Sequence, residues 1–212
     1  MSEPVPPLPR RVLLSATAAL LLPRVRPALA DSRHYSVSGT ASRREAVYPV
    51  PQVTLRDRFN RPVALRTLLA PGHAVVMEFF FTSCPTICGL QNSTLAVAQH
   101  RLVALSPGIR LVSISIDPGF DTPARIRRYA KPYAPLPNWS LLTGSQHAVQ
   151  AVLSAFDATF PGGNKYLHEP LVYIRPANSP VWRRTNGLLT ASQLVAEFRD
   201  VIAHTPPMVA AR

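Results

Sequence analysis

From Tyr48 onward, apolar runs are separated by short polar breaks rich in Pro, Gly, Asp and Asn. Ala74–Thr82 (AVVMEFFFT) is almost continuously apolar, as a strand covered on both faces of a parallel sheet must be. Arg110–Ile116 (RLVSISI) predicts a second buried strand. Glu78 interrupts the first run and reads as an edge or cavity-lining carboxylate with a hydrogen-bond partner rather than a catalytic group. Tyr48–Leu55 alternates as a half-buried strand does, and Asp57–Pro62 (DRFNRP) is turn-like. Trp139–Leu142 predicts a short strand; Leu171–Arg175 and Val181–Arg184 predict a terminal hairpin.

Helix signals lie between these runs. Pro85 suits a first helical turn, where its missing N–H costs nothing, and that helix should run to about Leu105, before Pro107-Gly108. Thr122 is a candidate N-cap with Pro123 as first helical residue, continuing through Ala130. Ser145 caps a helix to about Phe156, and Thr190 caps the last one, with Gln193 as its capping-box partner. Strands alternating with helices, plus one hairpin, predict an α/β fold with a mixed central sheet and flanking helices.

The N-terminus has a different pattern. Arg10-Arg11 precede an uncharged, mostly apolar run, Val12–Leu22, and Ala28-Leu29-Ala30 has the small-x-small form of a cleavage site. At ~1.5 Å per residue the run covers only about half a bilayer. Residues 1–30 are therefore expected to be an export signal, with an uncleaved anchor as the alternative; the arginine pair also permits twin-arginine export. The expected organisation is a signal peptide over 1–30, a polar linker over 31–46, one domain over 47–204 and a flexible tail over 205–212. The expected location is periplasmic or otherwise extracytoplasmic.

Composition refines this picture. A hydrophobic fraction of 47% with 16% charged residues supplies a real core and argues against disorder. The net charge of +12 is almost all arginine, since Lys131 and Lys165 are the only lysines. The arginines are scattered and no binding motif accompanies them, so a membrane surface or an acidic partner is expected, not nucleic acid.

The two cysteines, Cys84 and Cys88, stand in Thr82-Ser83-Cys84-Pro85-Thr86-Ile87-Cys88, where the buried strand gives way to the helix. With the helix starting at Pro85, Cys88 lies about one turn beyond Cys84 and both sulfurs face one side. The positive helix end favours thiolate. Such a pair can hold a soft metal or close into a disulfide, and a bridge over so short a loop is a poor staple but a reasonable redox pair. Closed zinc sites need four ligands, whereas Cu(I) accepts few and prefers sulfur. An imidazole would complete a three-ligand site. Of the six histidines, His34, His73, His100, His147 and His204 lie in the linker, at the far strand end, down the helix, at a later helix and near the C-terminus. His168 lies in a loop before Leu171–Arg175, where it can face the cysteine helix. A loop histidine taken alone is more often a solvated surface residue.

Taken together, these segments resemble the Sco/SenC family of copper chaperones. Thr82-x-Cys84-Pro85-x-x-Cys88 after an aromatic strand, Asp117-Pro118-x-x-Asp121-Thr122-Pro123 at a strand end, and Tyr166-x-His168 before an apolar strand are similar to that family's motifs, in its order. The resemblance covers about Val47–Ile202. It implies a thioredoxin-like fold, copper held by Cys84, Cys88 and His168, and delivery of copper to, or thiol reduction at, the CuA site of a cytochrome c oxidase subunit or another copper-accepting protein, with a thiol reductant as further partner. Thr86, Leu167 and Glu169 depart from the family pattern, and Glu169 could orient His168 or repel a metal-free thiolate pair. Asp117 and Asp121 read as turn-forming and helix-capping residues. The alternative is an extracytoplasmic thiol–disulfide oxidoreductase, which needs Cys84 as attacking thiol and Cys88, but not His168. Its usual C-x-x-C is one residue shorter than the spacing here. A peroxiredoxin would place Thr where Phe81 stands.

Overall fold

The computed structural model describes residues 41–204; the expected signal segment, most of the expected linker with His34, and the tail 205–212 lie outside the described residues. In chain order the strands and helices are β1 (Ser42–Val47), β2 (Thr54–Asp57), β3 (Pro62–Ala64), α1 (Leu65–Leu68), β4 (Val75–Phe80), α2 (Ile87–Leu105), β5 (Arg110–Ser115), α3 (Pro123–Ala130), β6 (Trp139–Thr143), α4 (Gln146–Ala155), β7 (Leu171–Arg175), β8 (Val181–Asn186) and α5 (Ala191–His204). All eight strands join one sheet in the order β1-β8-β7-β4-β5-β6-β2-β3. β4, β5 and β6 are parallel, while β7 runs antiparallel to β4 and forms a hairpin with β8. This is the expected mixed α/β sheet. The two most apolar runs become its middle: every residue of β4, and all but the first of β5, is buried.

Three helix caps follow the expected chemistry. Thr122 Oγ1 accepts the Arg125 amide at 3.3 Å, and Ser145 Oγ accepts that of Ala148 at 3.1 Å. Thr190 and Gln193 form the reciprocal box, with Thr190 N–H donating to Gln193 Oε1 at 2.8 Å and Gln193 N–H donating to Thr190 Oγ1 at 3.2 Å.

Three boundaries differ from expectation. The end of the expected linker is strand: Ser42–Val47 pairs antiparallel with β8. Tyr48–Pro51 is not strand, because Pro49 and Pro51 each lack the N–H a ladder needs, and pairing begins at Thr54. The cysteine helix begins at Ile87 rather than Pro85, since its N-cap Thr86 sits at φ −128°, ψ −85°, outside helical geometry.

Glu78 lies in the central strand β4, not at an edge, and is 2% exposed. Ser113 Oγ, its register partner on β5, donates to Glu78 Oε1 at 2.7 Å and itself accepts Trp139 Nε1 at 3.0 Å. Burial raises this carboxyl from 4.5 to about 7, against the hydrogen bonds from Ser113 and Gln91. Because the folded value is the higher one, the folded state keeps a proton that the unfolded chain has lost. Stability should therefore fall as pH rises from about 4.5 to about 7, by roughly 3 kcal/mol in all. Glu78→Gln keeps an acceptor for Ser113 but cannot ionise. It should match the parent at pH 4.5 and exceed it by up to roughly 3 kcal/mol at pH 8 in urea unfolding; an unchanged pH slope would show that Glu78 is not the titrating group.

Candidate metal and thiol site

The site is built where β4 ends. Phe81 and Cys84 close a turn, with the Cys84 amide donating to the Phe81 carbonyl at 3.2 Å. Asp121 anchors this turn from the loop between β5 and α3: its carboxylate accepts the Thr82 amide at 3.0 Å, the Thr82 hydroxyl, and the Ser115 hydroxyl at 2.6 Å. Asp121 is thus a tether for the cysteine loop and not a helix cap; Thr122 does the capping. The Asp117 carbonyl accepts the amides of Phe120 and Asp121, forming the expected turn.

Cys84 is half-buried at the mouth and Cys88 is fully buried, both as free thiols. Thr86 makes no side-chain cap for α2. The Cys84 sulfur takes that role instead, accepting the Cys88 amide at 3.5 Å, with the Thr86 hydroxyl 3.9 Å away. A hydrogen bond with the Cys88 thiol, then these donors, lowers Cys84 from 9.0 to about 5 despite partial burial. The bond to Cys84 and burial push Cys88 the other way, far above an ordinary thiol. At neutral pH the pair is one thiolate and one thiol.

His168 comes to Cys88 from a distant part of the chain, its Nε2 3.5 Å from Cys88 Sγ. Nδ1 lies 3.0 Å from the Lys165 carbonyl, which can only accept, so Nδ1 carries the hydrogen and Nε2 presents a lone pair to the thiol. Burial lowers the His168 pKa, against the Lys165 bond and the Cys84 charge, and keeps the ring neutral. The Phe81 ring packs edge-on to the imidazole at 5.4 Å. Among the described residues no three ligating side chains stand together as an assembled metal cage. The Cys88–His168 pair is nonetheless at the right separation. Bonds of ~2.3 Å to sulfur and ~2.0 Å to nitrogen from one ion subtend about 110° across 3.5 Å. Cys84, in the turn before the helix and more exposed, stands beside them, its sulfur accepting the Cys88 amide at 3.5 Å.

Sequence reasoning missed Lys165. Its ammonium pairs with Asp117 and lies 5.3, 5.9 and 5.5 Å from the ring centres of Phe81, Phe120 and Tyr166. This strap ties the histidine loop to the end of β5, and the Lys165 carbonyl orients His168. Its being one of only two lysines in an arginine-rich chain was a weak signal, since a compact ammonium suits such a space better than a guanidinium. Glu169 does not orient His168, whose ring nitrogens face Cys88 and the Lys165 carbonyl; it is more than half exposed and faces Arg184 at 3.5 Å. The other described histidines are elsewhere; His73, for example, contacts the Gly108 carbonyl and His204 lies beside Asp200.

Comparison with known proteins places this arrangement. Residues 54–203 match the SCO1/SenC family. The SCO1 protein homolog of Bacillus subtilis is 30% identical over 148 residues, which cover 66% of this chain and 75% of that protein. BsSco, a member of the Sco family of cytochrome c oxidase assembly proteins with an identified disulfide switch, matches at TM-score 0.61 and 26% identity over 76% of this chain and 98% of its own. Copper-bound ScoI of Arabidopsis thaliana shares the fold at TM-score 0.61 and 23% identity, covering 76% of this chain and 100% of that one. The fold is therefore thioredoxin-like, with two thiols and an imidazole at the strand-to-helix junction. The chain belongs to the SCO1/SenC family.

Proposed function

We propose that this protein is an exported copper metallochaperone that holds copper through Cys84, Cys88 and His168. It passes the metal to, or keeps reduced, the CuA site of a cytochrome c oxidase subunit or another copper-accepting protein. The observation that carries this reading is the 3.5 Å approach of His168 Nε2 to Cys88 Sγ, between residues 80 apart in sequence. A thiol pair needs no imidazole, whereas a three-ligand copper site does. The donor set suits the cargo, because thiolates favour Cu(I) while the added imidazole accommodates Cu(II). The neutral ring and the Cys84 thiolate reach the metal-binding protonation state with only the Cys88 proton to lose. Export by residues 1–30 and an extracytoplasmic location rest on the apolar run and Ala28-Leu29-Ala30. Among the described residues no helix is long and apolar enough to cross a membrane. Copper titration of the reduced protein should give one tightly held ion per chain, and Cys84→Ala/Cys88→Ala should hold none. Retention of the ion by that double variant would place the site elsewhere.

The unequal thiols favour a second reading, the thiol–disulfide oxidoreductase. The Cys84 thiolate would attack a partner disulfide, forming a mixed disulfide and releasing one partner thiolate. Cys88 would then give its proton to His168 Nε2, attack the Cys84 sulfur and release the second thiolate. The partner gains two electrons, and Cys84–Cys88 closes as the disulfide.

A further inference from the structure

Beyond β5, on the same carboxyl edge of the parallel strands as the cysteines, lies a pocket of about 430 Å³ between the starts of α3 and α4. Ligands of parallel sheets bind at this edge. Neither helix has an acidic residue in its first turn. Thr122 and Ser145 each satisfy one amide of their helix, leaving the Ala124, Gln146 and His147 N–H groups as first-turn donors at two positive helix ends. Two further features point to a ligand. Thr143, at the end of β6, is 3% exposed and lines the pocket, yet its hydroxyl has no hydrogen-bond partner among the described residues. Arg56 stands opposite Thr143 in the β2–β6 register and lines the same pocket. Asn60 holds Arg56 Nη1 at 3.0 and 3.3 Å, leaving Nη2 and Nε for an anion. Among the described lining residues Asp121 is the one carboxylate, and Thr82 and Ser115 occupy its oxygens. Arg58 and Arg127 line an adjoining depression that shares Thr122 and Pro123 with this pocket, adding positive charge.

We propose that this pocket binds a phosphate group, held between the N-termini of α3 and α4 by backbone amides, the Arg56 guanidinium and the Thr143 hydroxyl. Paired helix N-termini with an arginine are a competent phosphate cradle. The chemistry is shared by free phosphate, a soluble phosphomonoester and a lipid headgroup. The pocket is separate from the cysteines, and Asp121 joins the two by holding Thr82. The inference does not depend on the copper reading.

The test is titration of the ¹⁵N-labelled, metal-free full chain with inorganic phosphate, with sodium chloride at matched ionic strength as control. Saturable shifts centred on the Ala124, Gln146 and His147 amides are expected with phosphate and not with chloride. Arg56→Gln, an exposed substitution, should weaken binding about tenfold or more, the loss of one charge-assisted hydrogen bond. Thr143→Val, which keeps the shape, should weaken it by about fivefold or more. Retention on phosphatidic acid vesicles, reversed by inorganic phosphate and lost in Arg56→Gln, would assign the group to a lipid; saturable shifts without retention would assign it to a free anion. Shifts that do not saturate, that chloride reproduces, or that both variants leave unchanged while their melting temperatures match the parent would overturn the proposal.

Discussion

Alkylation of the reduced, metal-free chain by iodoacetamide should level off above about pH 5 at Cys84, four units below the 9.0 of an ordinary thiol. Cys88 should stay unlabelled across the neutral range, because it is buried and its thiol is held protonated. The cause can be tested separately from the effect. The largest contribution is the hydrogen bond from the Cys88 thiol, followed by burial acting against it and then the amide and hydroxyl donors at the start of α2. Cys88→Ala removes the first donor and should raise the Cys84 inflection by about one to two units, the worth of a hydrogen bond to a charged group. Cys88→Ser keeps a donor of similar reach and should leave Cys84 nearly as acidic. The helix-end donors persist in both variants, so neither should return Cys84 to an ordinary value. Measured by mass spectrometry of labelled peptides, a parent inflection near 9 would show that the thiols are not so arranged.

This asymmetry also shows what the sequence could and could not reveal. Cys84-Pro85-x-x-Cys88 after an apolar strand was enough to place a thiol pair at a helix start. It could not show that Thr86 is non-helical and that the Cys84 sulfur caps the helix in its place, because that depends on backbone angles set by the turn. The central strands were legible because burial on both faces leaves an unbroken apolar run. β1 was not, because Ser42–Val47 is an edge strand with an almost wholly exposed pattern and no alternation to detect. Its backbone ladder with β8 holds it, flanked by ion pairs of Arg43 with Glu197 on α5 and of Glu45 with Arg183 on β8 at 2.9 Å. Those partners are more than 130 residues away, beyond the reach of any local pattern. Lys165 was illegible for the same reason, since its meaning lies in Asp117 and Phe81, from two other loops.

Replacing His168 with Ala should separate the copper reading from the oxidoreductase reading. Both need Cys84 and Cys88, so cysteine variants cannot distinguish them. The substitution is local: the residue is 9% exposed, its Nδ1 is anchored to a backbone carbonyl, and the Lys165–Asp117 strap does not involve the imidazole. In the copper reading the variant loses one of three ligands. Cu(II) binding should fall by more than the about 10–100-fold typical of losing an outer-shell partner, and the thiolate-to-copper absorption should disappear. Cu(I) should lose less, because two thiolates suffice for a soft, low-coordinate ion. Disulfide closure between Cys84 and Cys88 should persist. The imidazole stands 3.5 Å from the Cys88 sulfur and can take its proton once Cys84 is in the mixed disulfide, so closure should slow at neutral pH and recover as pH rises. His168→Gln, which restores bulk but not the imidazole, should behave as His168→Ala does toward Cu(II); recovery by Gln would mean that packing and not ligation sets affinity. Parent and variant are to be titrated in both copper oxidation states, followed by absorbance and metal analysis. Equal affinity in both states would remove His168 from the copper site and leave the oxidoreductase as the reading this geometry supports, with His168 as the base beside its buried thiol.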